Sequence, residues 1–263
     1  MESRRPRGGG LLALGRTLAT DGVLAKISLA LGAAIVFGCV VFALVVARGD
    51  HSEGLASVPL LASSALAWGA GTLIAFAASV HAFRRDRDQG IRALVAARAR
   101  SDGEYMWARV IGLARVLAVV TVGGTIVVGV CSAFLARGGP LAIRTLECTA
   151  AAVAFSLAFA VTLAPVALAT LGARSRVGGY LALTFVLVLP ELLKGWLTRL
   201  LPDGWGELSS IPGALDALRA SLVPSGLDAL RFTRAFAVLA LVVALALIVV
   251  RGQLARFDRE RLS

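Results

Sequence analysis

The residues that could do chemistry are few and scattered. There are two histidines, His51 and His81, and the apolar runs around them put them on opposite sides of a bilayer, so they are not expected to share a metal. No H-E-x-x-H helix occurs. Ser63, Ser64 and Ser156 fall within apolar runs with no histidine at the same depth, where serine acts as packing glue between helices. No G-x-x-x-x-G-K-[ST] phosphate loop is present, so no nucleotide chemistry is expected from this chain. Cys39, Cys131 and Cys148 are odd in number and sit in or at the ends of apolar runs, as small buried hydrophobes do. The expectation is a protein that is not an enzyme, with no catalytic, cofactor-binding or metal residues of its own.

Three residues remain as candidates for a transport path or gate. Glu191 and Lys194 lie near the outer end of an apolar run, and an ionisable residue in such a run is a functional candidate; three apart on a helix, the two can equally pair and end the span. Pro165 reads as a kink, with a part in motion as the second reading.

The elements carrying these residues are set by composition. Of 263 residues 58% are apolar and 16% charged, with mean hydropathy +0.82, against about 45–50% and about 25% in soluble domains. The chain reads as an all-α integral membrane protein. Uncharged stretches of spanning length are Ile27–Val46, Val58–Phe83, Val116–Ala136, Cys148–Ala173, Val177 to about Leu197, and Ala235–Val250. The fifth contains Pro190, Glu191 and Lys194; the second has no proline beyond Pro59.

The net charge of +11 comes mostly from short links between these runs, too short for a nucleic-acid fold, so no nucleic acid is expected. Counted on alternate sides, 19 of the 27 basic residues fall with both termini and 8 on the other side. The positive-inside rule then makes the termini cytoplasmic. Only two of the 27 are lysines, Lys26 and Lys194, a bias that suits a GC-rich bacterial source and hence the inner membrane.

The chain reads as a single transmembrane unit, 1–263, with four non-spanning parts: a cytoplasmic start 1–26, a cytoplasmic link 84–109, an external link 198–234 and a cytoplasmic tail 251–263. Within the start, Gly10–Ala25 suits an interfacial amphipathic helix. The external link repeats a unit, Leu215-Asp216-Ala217-Leu218-Arg219 and Leu227-Asp228-Ala229-Leu230-Arg231, with Pro224 between. Ile211, Leu215, Leu218 and Leu222 stand at helical spacing. A pair of short helices packed on the outer ends of the spans is expected.

The link after the second span runs Phe83-Arg84-Arg85-Asp86-Arg87-Asp88-Gln89-Gly90-Ile91-Arg92-Ala93-Leu94, then Ser101-Asp102-Gly103-Glu104-Tyr105-Met106-Trp107-Ala108-Arg109-Val110-Ile111-Gly112. It is a charged exit from a span, a glycine that permits a turn, a short helical piece, and a second amphipathic piece entering the third span.

This stretch resembles the link of the type-2 ABC transporter permease family. Asp86, Asp88, Gly90, Leu94, Ser101, Glu104, Tyr105, Arg109 and Gly112 fall in step with the family pattern. Ile91, Ala99 and Arg109 depart from its usual Thr, Pro and Lys. The resemblance implies an exporter-like permease subunit, working as a homodimer or with a similar chain, coupled to a separate ATP-binding subunit that carries ATP and Mg. It implies a partner contact through Arg85, Asp86, Arg87, Asp88, Gly90, Arg92, Glu104 and Tyr105, and a second cytoplasmic link at Arg174 and Arg176. Membrane lipid is the remaining partner. The competing class is a secondary transporter built of two matching halves, which would need helices two and five interrupted alike.

Overall fold

The computed structural model describes residues 23–49, 52–80, 82–91, 101–173, 175–201, 205–223 and 228–259. Among these the chain is all-helical, with six helices long and apolar enough to cross a membrane. The expected interfacial helix falls outside the described residues except for its last three, which open the first long helix. His51, His81, Arg92, Arg174, Pro202 and Pro224 also lie outside them.

Helix α1 is Val23–Arg48. The second crossing is composite: a 3-10 turn Ser52–Ser57, α2 Val58–Ala65, a π-helical turn Leu66–Gly71, α3 Thr72–Ser79, and α4 Ala82–Asp88. The third and fourth crossings are α5, Asp102–Leu135, and α6, Gly139–Leu171; the fifth is α7, Arg176–Leu200. A separate short helix, α8, covers Ile211–Ala220, and the sixth crossing is α9, Ala229–Arg259.

The sequence expectation put the interruption in the fifth crossing and none in the second, and the structure reverses this. Helix α7 continues through Pro190; proline removes one backbone donor, and a long helix tolerates that loss. In the second crossing the cause is local. The π turn contains Gly69 and Gly71, and Thr72 Oγ1 donates to the carbonyl oxygens of Trp68 (2.5 Å) and Gly69 (3.0 Å), satisfying acceptors that the wider turn loosens. A second break follows at Val80, whose ψ of 113° is extended.

Helices α5 and α6 form the tightest pair. Their turn carries positive φ at Arg137, Gly138 and Gly139 (51°, 84° and 74°), a path that glycine follows without a Cβ penalty, and Pro140 occupies the first turn of α6. Along the interface small residues let the backbones approach: a Cβ on Gly129 would lie 2.2 Å from Thr149 Cγ2. Thr125 and Ser156 hydroxyls meet at 3.2 Å, and Thr121, Thr145 and Thr149 return their hydroxyls to the carbonyls four residues back. Helix α6 is the centre of the bundle, with Phe155, Phe159 and Pro165 buried.

At the end of the bundle where α6 and α9 begin, α8 lies against both helices and buries Ile211, Leu215 and Leu218. Ser210 caps it, accepting from Gly213 N at 2.9 Å. Of the two expected short helices only this one is separate. The second unit begins α9 instead, because Asp228 Oδ1 accepts from Arg231 N (3.0 Å) and serves as a helix N-cap.

Candidate functional site

The link between the second and third crossings rises from a buried charge cluster. Asp86, in α4, is fully enclosed, and Arg109, in α5, is 3% exposed. Arg109 Nη2 and the Tyr105 hydroxyl both donate to Asp86 Oδ2, and the first contact is also an ion pair. The Arg109 guanidinium also stands 5.6 Å from the Tyr105 ring centroid. Tyr105 and Arg109 are four apart and therefore share one face of α5.

Local sequence explains both sides of the cluster. Helix α5 starts where it does because Ser101 Oγ accepts from Glu104 N at 3.2 Å, a Ser-x-x-Glu signal of a helix start. From that start the helix runs unbroken into the third crossing, as expected of the second amphipathic piece; the short helical piece expected before it lies outside the described residues beyond Ile91. Helix α4 is tied to the fourth crossing by Phe83 N donating to Gly172 O at 3.1 Å. A Cβ on Gly172 would lie 2.7 Å from the Phe83 ring, so the strands of chain touch here. Three crossings thus meet at one charged point.

The residues expected to face a partner divide into two groups. Asp86 and Tyr105 are interior and bind each other, joining α4 to α5. Arg87, Asp88 and Glu104 are exposed, with Arg87 Nε 3.9 Å from Asp88 Oδ1. Arg85 is half-buried, and its Nε and Nη2 find no partner among the described residues. Gly90 has φ +69°, the left-handed turn that its position requires. Arg176 opens α7.

Glu191 and Lys194 stand at the opposite end of the bundle and pair at 3.3 Å. Ser210, the cap of α8, also donates to Glu191 Oε2, so the pair anchors the connection between α7 and α8. Pro165 is enclosed in α6 and is brought to neither cluster.

Two residues carry more than the sequence reading assigned them. Arg109 was one step of a motif and is the counter-charge of Asp86; a carboxylate that close to an apolar run needs such a partner, and the Tyr105 spacing points to it. Arg219 stands three residues after Asp216 in the first repeated unit, and the two pair at 3.0 Å. The same guanidinium also reaches Ser64 Oγ and, at 3.3 Å, Leu60 O on α2, and lies 5.1 Å from the Phe155 ring centroid. It fastens α8 to the second crossing just before the π turn. No group of three His, Cys, Asp or Glu able to hold a metal occurs among the described residues.

Compared with family models, curated proteins and solved structures, the chain matches none.

Proposed function

We propose that this protein is the membrane-spanning permease subunit of an ATP-driven ABC transporter, exporter-like, with its ATP-binding subunit separate. The observation that supports this most is the Asp86–Arg109–Tyr105 cluster together with the Phe83–Gly172 bond. A push on the link 89–101 acts on a base that joins the second, third and fourth crossings, which is the mechanical property a coupling element needs. The exposed charges of Arg87, Asp88 and Glu104 offer mixed signs that set partner choice and register. In this reading the chain works as a homodimer or with a similar permease, in a bacterial inner membrane, with both termini and the link in the cytoplasm.

The test is Gly90→Val together with the charge reversals Arg87→Glu and Asp88→Arg. Membrane abundance should stay normal while co-purification of the ATP-binding subunit weakens and transport-linked ATP turnover is lost. A protein that purifies from its native membrane under mild conditions without any ATP-binding subunit, and is indifferent to these changes, would refute the proposal in favour of a secondary transporter. That alternative is weaker because the second crossing is interrupted and the fifth is continuous, whereas inverted halves call for matching breaks.

A further inference from the structure

A cavity of about 450 Å³ lies between α6, α7 and α9, with Leu208–Ile211 lining it at one end. The volume is that of an ordinary ligand site, but its shape and wall are unusual. Along α9 it extends from Val238 to Val249, about 16 Å at helical rise, so it is a slot. Its few polar side chains are already engaged: Thr170 Oγ1 donates to Val166 O at 2.9 Å, Ser209 Oγ to Gly206 O at 2.7 Å, and Ser210 Oγ to Glu191. An occupant therefore needs no polar group inside the slot.

Leu208 is also a wall of a second, polar cleft lined by Glu207, Asp228, Arg231 and Arg234. Arg231 bonds Glu207 at 2.7 Å, and Arg234 stands 5.6 Å from the Trp205 ring centroid. Two cations and two anions across Leu208 from one end of an apolar slot match a molecule with a hydrocarbon chain and a head carrying both signs of charge.

We propose that the slot holds one acyl chain of a zwitterionic membrane phospholipid, with its phosphate toward Arg231 and Arg234 and its amine toward Glu207 and Asp228. This rests on the six-helix membrane architecture and not on the transporter reading. The acyl chain fills an apolar space between α7 and the bundle, and α7 is the least buried of the six long helices, with Leu181, Phe185, Leu192 and Trp196 exposed. The lipid is thus a structural element of the fifth crossing.

The experiment uses the full chain in nanodiscs containing phosphatidylethanolamine with a diazirine on one acyl chain. After irradiation, adducts are mapped to peptides. They should concentrate on residues 182–190 and 238–249. Each buried methylene is worth roughly a fourfold change in affinity, so filling the slot with Ala246→Phe should lower this labelling more than about tenfold. Val119→Phe, on the exposed face of α5, should leave it unchanged. Ala182→Phe, from the facing wall, is the second slot-filling variant if Ala246→Phe is not monodisperse. Arg231→Gln with Arg234→Gln should remove the preference for phosphatidylethanolamine over a diacylglycerol carrying the same diazirine chain. Labelling equal to that around Phe37 on α1 and unchanged by both slot-filling variants would overturn the site. So would a disulfide between two copies through Val186→Cys in a cysteine-free chain, which would show a second copy in the slot. Stronger labelling by phosphatidylglycerol would overturn the zwitterionic assignment.

Discussion

Replacing Arg109 by Met removes the counter-charge of Asp86 while keeping most of the side-chain volume. Asp86 is fully enclosed and Arg109 is 3% exposed, so the aspartate is left as a charge that, among the described residues, keeps the Tyr105 hydroxyl as its side-chain donor. Breaking a buried pair in this way costs about 3–5 kcal/mol. At about 2–4 °C per kcal/mol for a chain near this size, the melting temperature should fall by roughly 6–20 °C. The double variant Asp86→Asn with Arg109→Met should recover much of the loss, since removing both charges together leaves neither unpaired and the Asn carbonyl still accepts from Tyr105. The assay is thermal unfolding in mild detergent followed by the fluorescence of Trp68, Trp107, Trp196 and Trp205. An Arg109→Met protein that melts with the wild type, or a double variant no more stable than the worse single one, would refute the argument that this pair holds the base of the link.

Gly129→Val should destabilise the α5 and α6 pair by about 1–3 kcal/mol or more, because its Cβ would lie 2.2 Å from Thr149 Cγ2; the same melt measures it. Leu215→Ala should cost about 2–5 kcal/mol since Leu215 is 1% exposed, whereas Leu192→Ala, at a position 76% exposed, should change stability by no more than about 0.5 kcal/mol. In a cysteine-free chain in cells, cysteines at Arg137 and Asp216 should react with an impermeant maleimide before permeabilisation and one at Arg251 only after it; the reverse order would overturn the orientation drawn from the basic residues.

Much of the architecture was legible in the chain because hydropathy along the sequence is a local property. The six crossings follow from runs of Ala, Leu and Val bounded by charges, and the observed helices extend these runs at their ends. The Asp216–Arg219 and Glu191–Lys194 pairs were legible for the same reason: residues three apart on a helix are neighbours whatever surrounds them. The start of α5 was written in Ser101 and Glu104.

What the sequence could not decide was which charges face inward. Asp86 and Asp88 are the same residue type two positions apart on one short helix, yet Asp86 is enclosed and Asp88 exposed. The difference is made by Arg109 and Tyr105, brought from about twenty residues away by the packing of α4 on α5. Likewise the π turn at Leu66–Gly71 depends on neighbours as much as on its glycines, Trp68 meeting Phe159 edge-on at 5.2 Å. The tether of Arg219 to the second crossing spans 155 residues of sequence to Ser64. Hydropathy along the chain determined its six helices long and apolar enough to cross a membrane; the enclosed charges, the interrupted second crossing and the slot beside α9 were decided by tertiary packing, because a polar group's burial and a cavity's shape depend on partners that only the fold brings near.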